Sequence, residues 1–373
     1  MIKIASDSQI PNIEQNLTEF FADEYSLEYF ASDELTSNCL RDVDAILVRS
    51  TIKVDKELCD RSSIKFVGSA TAGINHLDIE YFDAQDISWS HAPGCNAFSV
   101  IHYVMAAFGE LIQGGFFNVQ QSVGIIGYGN IGKRLYQLLS ALNIEVYAYD
   151  PFLKDAHLVT MEKVLACDLI TIHVPYSIEG AYPTSDLLNQ SHSSLLKDKI
   201  LINTSRGGVV CEKLVTESND IIYVADVWLD EPIPSIATVK KAFISTPHIA
   251  GYSLEGKLNG SIMIAKECAR AFNCLQETSF SEDHLIDWPH GLKNIIRDMH
   301  GHGFPISIFK SELDLQGLSD NFKNISSNKL ADKFKSLRTN HLPRHDFNKY
   351  SYKNLVALDE SINMDFFNAI QNL

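Results

Sequence analysis

The stretch Val123-Gly124-Ile125-Ile126-Gly127-Tyr128-Gly129-Asn130-Ile131-Gly132 constrains the fold more than any other part of the 373-residue chain. A β-branched run leads into glycines spaced G-x-G-x-x-G. Leu135, Leu138, Leu139 and Leu142 then recur at helical spacing, and Ile144–Tyr149 reads as a second strand ending at Asp150. A lone glycine motif is weak evidence, but strand, turn, helix, strand and terminal acid in this order make a dinucleotide-binding βαβ unit. Gly127 permits the tight turn, Gly129 lets backbone approach a pyrophosphate, and Gly132 lets the helix pack on the strand. Tyr128, Asn130 and Ile131 complete the loop, whose helix N-terminus offers free N–H groups to the phosphates. Asp150 stands roughly 20 residues on, where a carboxylate accepts from ribose hydroxyls and repels a 2′-phosphate. Pro151 and Phe152 follow it with no arginine at hand, so the expected cofactor is NAD rather than NADP.

Strand-like runs alternate with amphipathic stretches along most of the chain, the pattern of an α/β protein with parallel sheets. Early strands are expected at Ile2–Ala5, Ala45–Val48, Lys65–Val67 and Ile87–Trp89, with a helix over Pro11–Phe21. Ala97–Gln113 reads as a long helix, because Val100, Val104, Ala107 and Leu111 share one face. Later strands are expected at Leu169–His173, Ile200–Asn203, Ile222–Ala225 and Phe243–Ser245. Beyond about residue 280 the chain turns polar and mixed in charge, and a separate small domain is expected there.

Hydrophobic residues make up 45% of the chain, enough to fill ordinary cores. No apolar run approaches the roughly 18 residues of a membrane helix. The N-terminal residues enter a strand pattern without an export signal. Cys39, Cys59, Cys95, Cys167, Cys211, Cys268 and Cys274 are scattered singly, which argues for reduced thiols in the cytoplasm and against a disulfide framework or metal site. The net charge of -16 argues against nucleic acid as a partner. It also means that an anionic substrate would need cations concentrated locally.

Three further motifs follow strand patterns: Asn203-Thr204-Ser205-Arg206-Gly207, Asp226-Val227-Trp228-Leu229-Asp230-Glu231-Pro232 and Thr246-Pro247-His248-Ile249-Ala250-Gly251. Open α/β sheets bind ligands past the C-terminal ends of their strands, where these residues fall. An arginine can hold a carboxylate bidentately. A histidine can accept a hydroxyl proton near neutral pH, and a carboxylate beside it orients the ring. Taken singly, Arg206, Glu231 and His248 read as ordinary surface or capping residues. Together, downstream of a nucleotide motif, they read as the catalytic set for oxidising a 2-hydroxyacid.

These ordered motifs resemble the D-isomer-specific 2-hydroxyacid dehydrogenase family over about residues 1–280. The resemblance implies an α/β architecture with a flavodoxin-like substrate (lid) domain over 1–97, completed by about 248–280. A Rossmann-type NAD-binding domain over 98–247 and a small α+β dimerisation domain over 281–373 complete it. It tightens toward the branch that oxidises 4-phospho-D-erythronate in pyridoxal phosphate biosynthesis. The supporting stretches are Val48–Val54, Lys65–Gly73, Ala92–Ala97 and His248–Lys257, with Leu337–Arg344 resembling part of the dimerisation domain. It implies that Ser50, Thr71 and Tyr252 contact substrate, with Arg49 and Lys53 as candidates for its phosphate. It also implies that Asp150, Asp226, Gly251 and the backbone at Val174 contact NAD. A homodimer is implied, with either Arg338 or Arg344 expected to reach the partner's site. Val174 replaces a frequent threonine and Cys211 a usual acid, while Cys95 is expected as a small buried apolar residue rather than a nucleophile. A D-3-phosphoglycerate dehydrogenase or another relative, and a non-catalytic NAD-sensing regulator, share the same motifs and stay open as alternatives.

Overall fold

The computed structural model describes residues 1–31, 34–276, 285–325, 329–341, 344–352 and 354–373. Two compact units emerge, one of Met1–Ala97 with the described residues of 253–276, the other of Phe98–Tyr252 with Leu285–Leu373.

The first unit is built on a five-stranded parallel sheet of order β2-β1-β3-β4-β5, from β1 (Ile2–Asp7), β2 (Tyr25–Phe30), β3 (Ala45–Val48), β4 (Phe66–Ser69) and β5 (Ser88–His91). That order is flavodoxin-like. β3 is buried on both faces, as a continuous apolar run in a parallel sheet should be. β2 was not expected. It is an edge strand, half-exposed throughout, so its residues Tyr-Ser-Leu-Glu-Tyr-Phe carry no clear alternation. The helix Leu254–Ala271 returns to this sheet. A Cβ on Gly260 would stand 2.3 Å from the Ala70 carbonyl oxygen, so the helix approaches β4 as closely as backbone allows.

The second unit has a six-stranded sheet of order β11-β10-β9-β8-β6-β7. Its strands are β6 (Val123–Ile126), β7 (Val146–Tyr149), β8 (Leu169–Ile172), β9 (Ile200–Asn203), β10 (Ile222–Ala225) and β11 (Ile244–Ser245), paired in parallel. The chain leaves β6 toward β7 and later returns to β8 on the other side of β6. This makes a switch point past the ends of β6 and β8, where doubly wound folds bind their ligands. The helix Gly132–Ala141 buries Leu135, Leu138 and Leu139 against the sheet, as their spacing requires.

The C-terminal segment is α+β, with six α-helices and a parallel pair of β12 (Ile286–Asp287) and β13 (Tyr350–Ser351) among the described residues. Its contacts group it with the nucleotide unit, and the two share one core. Phe304, Phe309, Phe347 and Phe366 lie in the same buried cluster as Tyr103, Phe108 and Leu138. The Ser245 backbone N–H donates to Ser319 Oγ at 3.0 Å, and Lys323 Nζ donates to the Phe243 carbonyl at 2.8 Å, so the segment also covers the β11 edge.

Candidate active site

Gly127 follows β6 with φ +96, the left-handed side where a Cβ is disfavoured. A Cβ there would meet the His173 carbonyl oxygen at 2.4 Å, just past the end of β8. A Cβ on Gly132 would stand 1.9 Å from the Gly127 oxygen, whereas one on Gly129 would meet nothing within 4 Å. The first and third glycines are thus required by the protein's own packing. The second leaves open space beside the loop, the shape a dinucleotide pyrophosphate needs. Asp150 Oδ2 accepts from the Tyr128 N–H at 3.0 Å and Oδ1 from the Phe152 N–H at 3.0 Å, which holds the carboxylate at the loop. The residues present therefore fit NAD. Val174 packs a methyl near Gly127 and brings no hydrogen-bonding group.

Asp226 is fully buried at the end of β10. Its Oδ1 accepts from Thr246 Oγ1 at 2.6 Å and from the Ile249 N–H at 2.8 Å, while Oδ2 accepts from the Ala250 N–H at 2.8 Å. Burial raises its pKa against these bonds and the charge of His248. One carboxylate therefore fixes the loop on either side of His248. Within it His248 adopts φ +58, a left-handed conformation that costs a non-glycine residue about 1–2 kcal/mol. The Asp226 bonds stabilise the loop that carries it.

His248 Nδ1 lies 2.7 Å from Glu231 Oε2, and Glu231 Oε1 accepts from the Trp228 N–H at 3.0 Å. Burial pushes the Glu231 carboxyl up, but His248, the Trp228 N–H and the Arg338 charge outweigh it and hold its pKa below the usual range. Arg206 follows β9 and donates from Nη1 to the Ser205 carbonyl at 2.8 Å. A Cβ on Gly207 would sit 1.9 Å from the Trp228 oxygen, so the Arg206 and Glu231 loops abut. Burial lowers the Arg206 pKa, Glu231 opposes that shift, and Arg338 adds to it. The expected catalytic set is thus brought together, with Gly251 and Tyr252 directly after it.

The C-terminal segment reaches this site from within the same chain. The Arg338 guanidinium lies over the Tyr252 ring, 5.4 Å from its centroid. Arg344 is buried, donating from Nη2 to the Ser99 and Ala250 carbonyls at 3.1 and 2.8 Å, so its guanidinium is committed within its own chain. His341 stands between the two roles, 3.2 Å from Arg344 Nη1 through Nε2 and edge-on to Tyr252. Leu342 and Pro343 of the same stretch lie outside the described residues.

In the first unit Ser50 is exposed just past β3. Ser69 Oγ lies 2.9 Å from both Thr71 Oγ1 and His76 Nε2, so His76 joins a hydroxyl cluster that motif reading overlooked. Arg49 Nε pairs with buried Asp7 at 2.9 Å. Lys53 is exposed and pairs with Asp55 at 2.7 Å, the bonding of an ordinary surface cation. Lys257, not singled out from sequence, has its pKa lowered by burial and then by the Arg49 charge. Cys95 is buried, and Cys211 caps the helix Glu212–Glu217 without a side-chain bond.

The family model for the NAD binding domain of D-isomer specific 2-hydroxyacid dehydrogenases matches residues 116–250. An erythronate-4-phosphate dehydrogenase of Hahella chejuensis is 40% identical over 278 residues, covering 72% of each chain. The chain belongs to the erythronate-4-phosphate dehydrogenase branch of the D-isomer specific 2-hydroxyacid dehydrogenase family. A second such relative, from Pseudoalteromonas atlantica, is 33% identical over 340 residues, 88% of this chain and 90% of its own. Among solved structures, the NAD+-bound 3-phosphoglycerate dehydrogenase of Entamoeba histolytica matches with TM-score 0.61 at 23% identity, covering 75% of this chain and 99% of that one. The D-lactate dehydrogenase of Aquifex aeolicus, solved with NAD and lactic acid, matches with TM-score 0.57 at 23% identity, covering 73% of this chain and 95% of that one. Those two share the fold. About a quarter of this chain has no counterpart in them, whereas the Pseudoalteromonas relative aligns with most of it. NAD is the cofactor of this family's binding domain.

Proposed function

We propose that this chain oxidises the C2 hydroxyl of 4-phospho-D-erythronate to 2-oxo-3-hydroxy-4-phosphobutanoate, with NAD, in pyridoxal 5′-phosphate biosynthesis. The observation that carries this reading is the His248–Glu231 pair beside Arg206, in a chain 40% identical to an erythronate-4-phosphate dehydrogenase.

NAD, when bound by the Gly127–Gly132 loop and Asp150, supplies the hydride acceptor. Asp226, Val174 and Gly251 line the same strand ends. Arg206 binds the substrate carboxylate through its planar fork and steadies the C2 oxygen. A carboxylate can only accept, so the His248–Glu231 bond puts the proton on Nδ1 and leaves Nε2 to take the C2 hydroxyl proton. Glu231 stays ionised and stabilises the imidazolium that results. Ser50, Thr71 and Tyr252 serve as hydroxyl ligands to substrate oxygens. The protein acts in the cytoplasm as a homodimer.

The test is spectroscopic. Purified protein with NAD receives 4-phospho-D-erythronate, D-3-phosphoglycerate or D-lactate, and NADH formation is followed, including a single turnover of bound cofactor. Strong preference for the erythronate ester supports the reading. Preference for another acid replaces the substrate but keeps the chemistry, and no turnover with any of them overturns it.

A further inference from the structure

A hydroxyacid carrying both a carboxylate and a phosphate brings roughly three negative charges, since a phosphate alone contributes up to about two. The chain itself carries -16, so the surrounding field does not favour such a ligand. Arg206 can clamp one of the two anionic groups. The other needs a separate cation near His248 and Glu231.

Two further guanidiniums approach that site in the same unit. Arg344 is spoken for, since it is buried and its Nη2 holds the Ser99 and Ala250 carbonyls. Arg338 is placed differently. It projects from the helix Leu330–Thr339 to lie over the ring of Tyr252, four residues past His248. Its Nε, like that of Arg344, is shielded from solvent and finds no hydrogen-bond partner among the described residues, but no carbonyl pair among them holds the rest of the Arg338 guanidinium. Its charge acts on both Arg206 and Glu231. Two guanidiniums that repel each other, one with an unused buried donor, form an arrangement that an anion would stabilise. An aromatic face under one of them fixes its plane without consuming its N–H groups.

We propose that Arg338 is the phosphate ligand of the substrate, supplied by the C-terminal segment to the catalytic set of its own chain. Arg206 takes the carboxylate, Arg338 takes the phosphate, and Tyr252 is the platform that orients Arg338. This inference rests on the preceding reading that the substrate is phosphorylated.

Steady-state kinetics of wild type, Arg338→Met and Arg338→Lys on 4-phospho-D-erythronate and on D-erythronate test it. The expected result is that Arg338→Met raises KM for the ester far more than it lowers kcat. The ratio of kcat/KM between ester and free acid should fall roughly 10- to 100-fold, the loss of one or two charge-assisted bonds. Arg338→Lys should recover part of that ratio. Inorganic phosphate should inhibit wild type competitively against the ester, and Arg338→Lys less well. An unchanged ratio, or an equal loss on both acids, overturns the proposal. If Arg338→Met does not fold, Arg338→Lys and the phosphate competition still decide it: full phosphate sensitivity in the lysine variant overturns it. A wild type that turns over D-erythronate or another acid but not the ester defeats the substrate reading, and this inference falls with it.

Discussion

His248 Nδ1 and Glu231 Oε2 stand 2.7 Å apart, while the other Glu231 oxygen is held by the Trp228 N–H. The carboxylate is therefore fixed at both ends, and its lowered pKa keeps it charged into the acid range. Glu231→Gln keeps the shape and removes the charge, so the imidazolium loses its partner. In the oxidation direction, where neutral His248 is the working form, the acid limb of the kcat/KM profile should move to lower pH. The plateau should fall at least about tenfold. A limb that moves to higher pH would contradict the pairing.

Arg206 is the group for which charge and shape both count. Arg206→Ala removes about two charge-assisted hydrogen bonds, each worth on the order of 1.5–3 kcal/mol, so kcat/KM should fall by roughly 10²–10⁴. Arg206→Lys restores charge without the fork and should recover only part of that loss. Loss of less than tenfold in the alanine variant would remove Arg206 from the mechanism.

The glycine loop offers a matched pair of variants. Gly132→Ala would put a methyl 1.9 Å from the Gly127 oxygen, so it should destabilise the fold, by about 1–3 kcal/mol or more. Gly129→Ala adds a methyl where no protein atom lies within 4 Å. It should melt close to wild type yet bind NAD at least about tenfold more weakly. Thermal melts with and without NAD separate the two, and the idea fails if both variants lose stability alike.

Burial has a further consequence at His102, which is fully enclosed and lies 3.1 Å from the Phe309 carbonyl through Nε2. Burial, reinforced by the Arg344 charge, lowers its pKa from 6.5 to about 3. The folded state thus prefers the neutral ring more than the unfolded chain does. The resulting stability is complete above about pH 6.5 and is lost as pH falls toward 3. At pH 5 the loss is on the order of 2 kcal/mol. Denaturant melts from pH 7 to 5 should show a shallower decline in His102→Gln than in wild type; parallel curves would count against this assignment.

What could be read from the residues alone followed from local repetition. β3, β8, β9 and β10 announce themselves as continuous apolar runs, and the turn at Gly127 as spaced glycines. The edge strand Tyr25–Phe30 does not, because neither face is buried enough to impose a period. Arg206, Glu231 and His248 were legible because each follows a strand. The left-handed backbone of His248 and the double grip of Asp226 were not, since they depend on bonds closed by the loop in three dimensions. The C-terminal segment was the least legible part. Its aromatic residues find their partners far back in the chain, as Phe309 does at His102, and no local pattern encodes such a pairing.

That pairing bears on how such a chain can be altered. The tail contributes Phe304, Phe309, Phe347 and Phe366 to a core whose other side is Tyr103, Phe108 and Leu138. A chain ending before Leu285 would expose that inner surface across the nucleotide-binding half. Grafting the tail onto a shorter relative would demand the reciprocal aromatic sockets as well. Substitutions in the tail and in the catalytic half are therefore coupled, because each side's packing is set by the shape of the other.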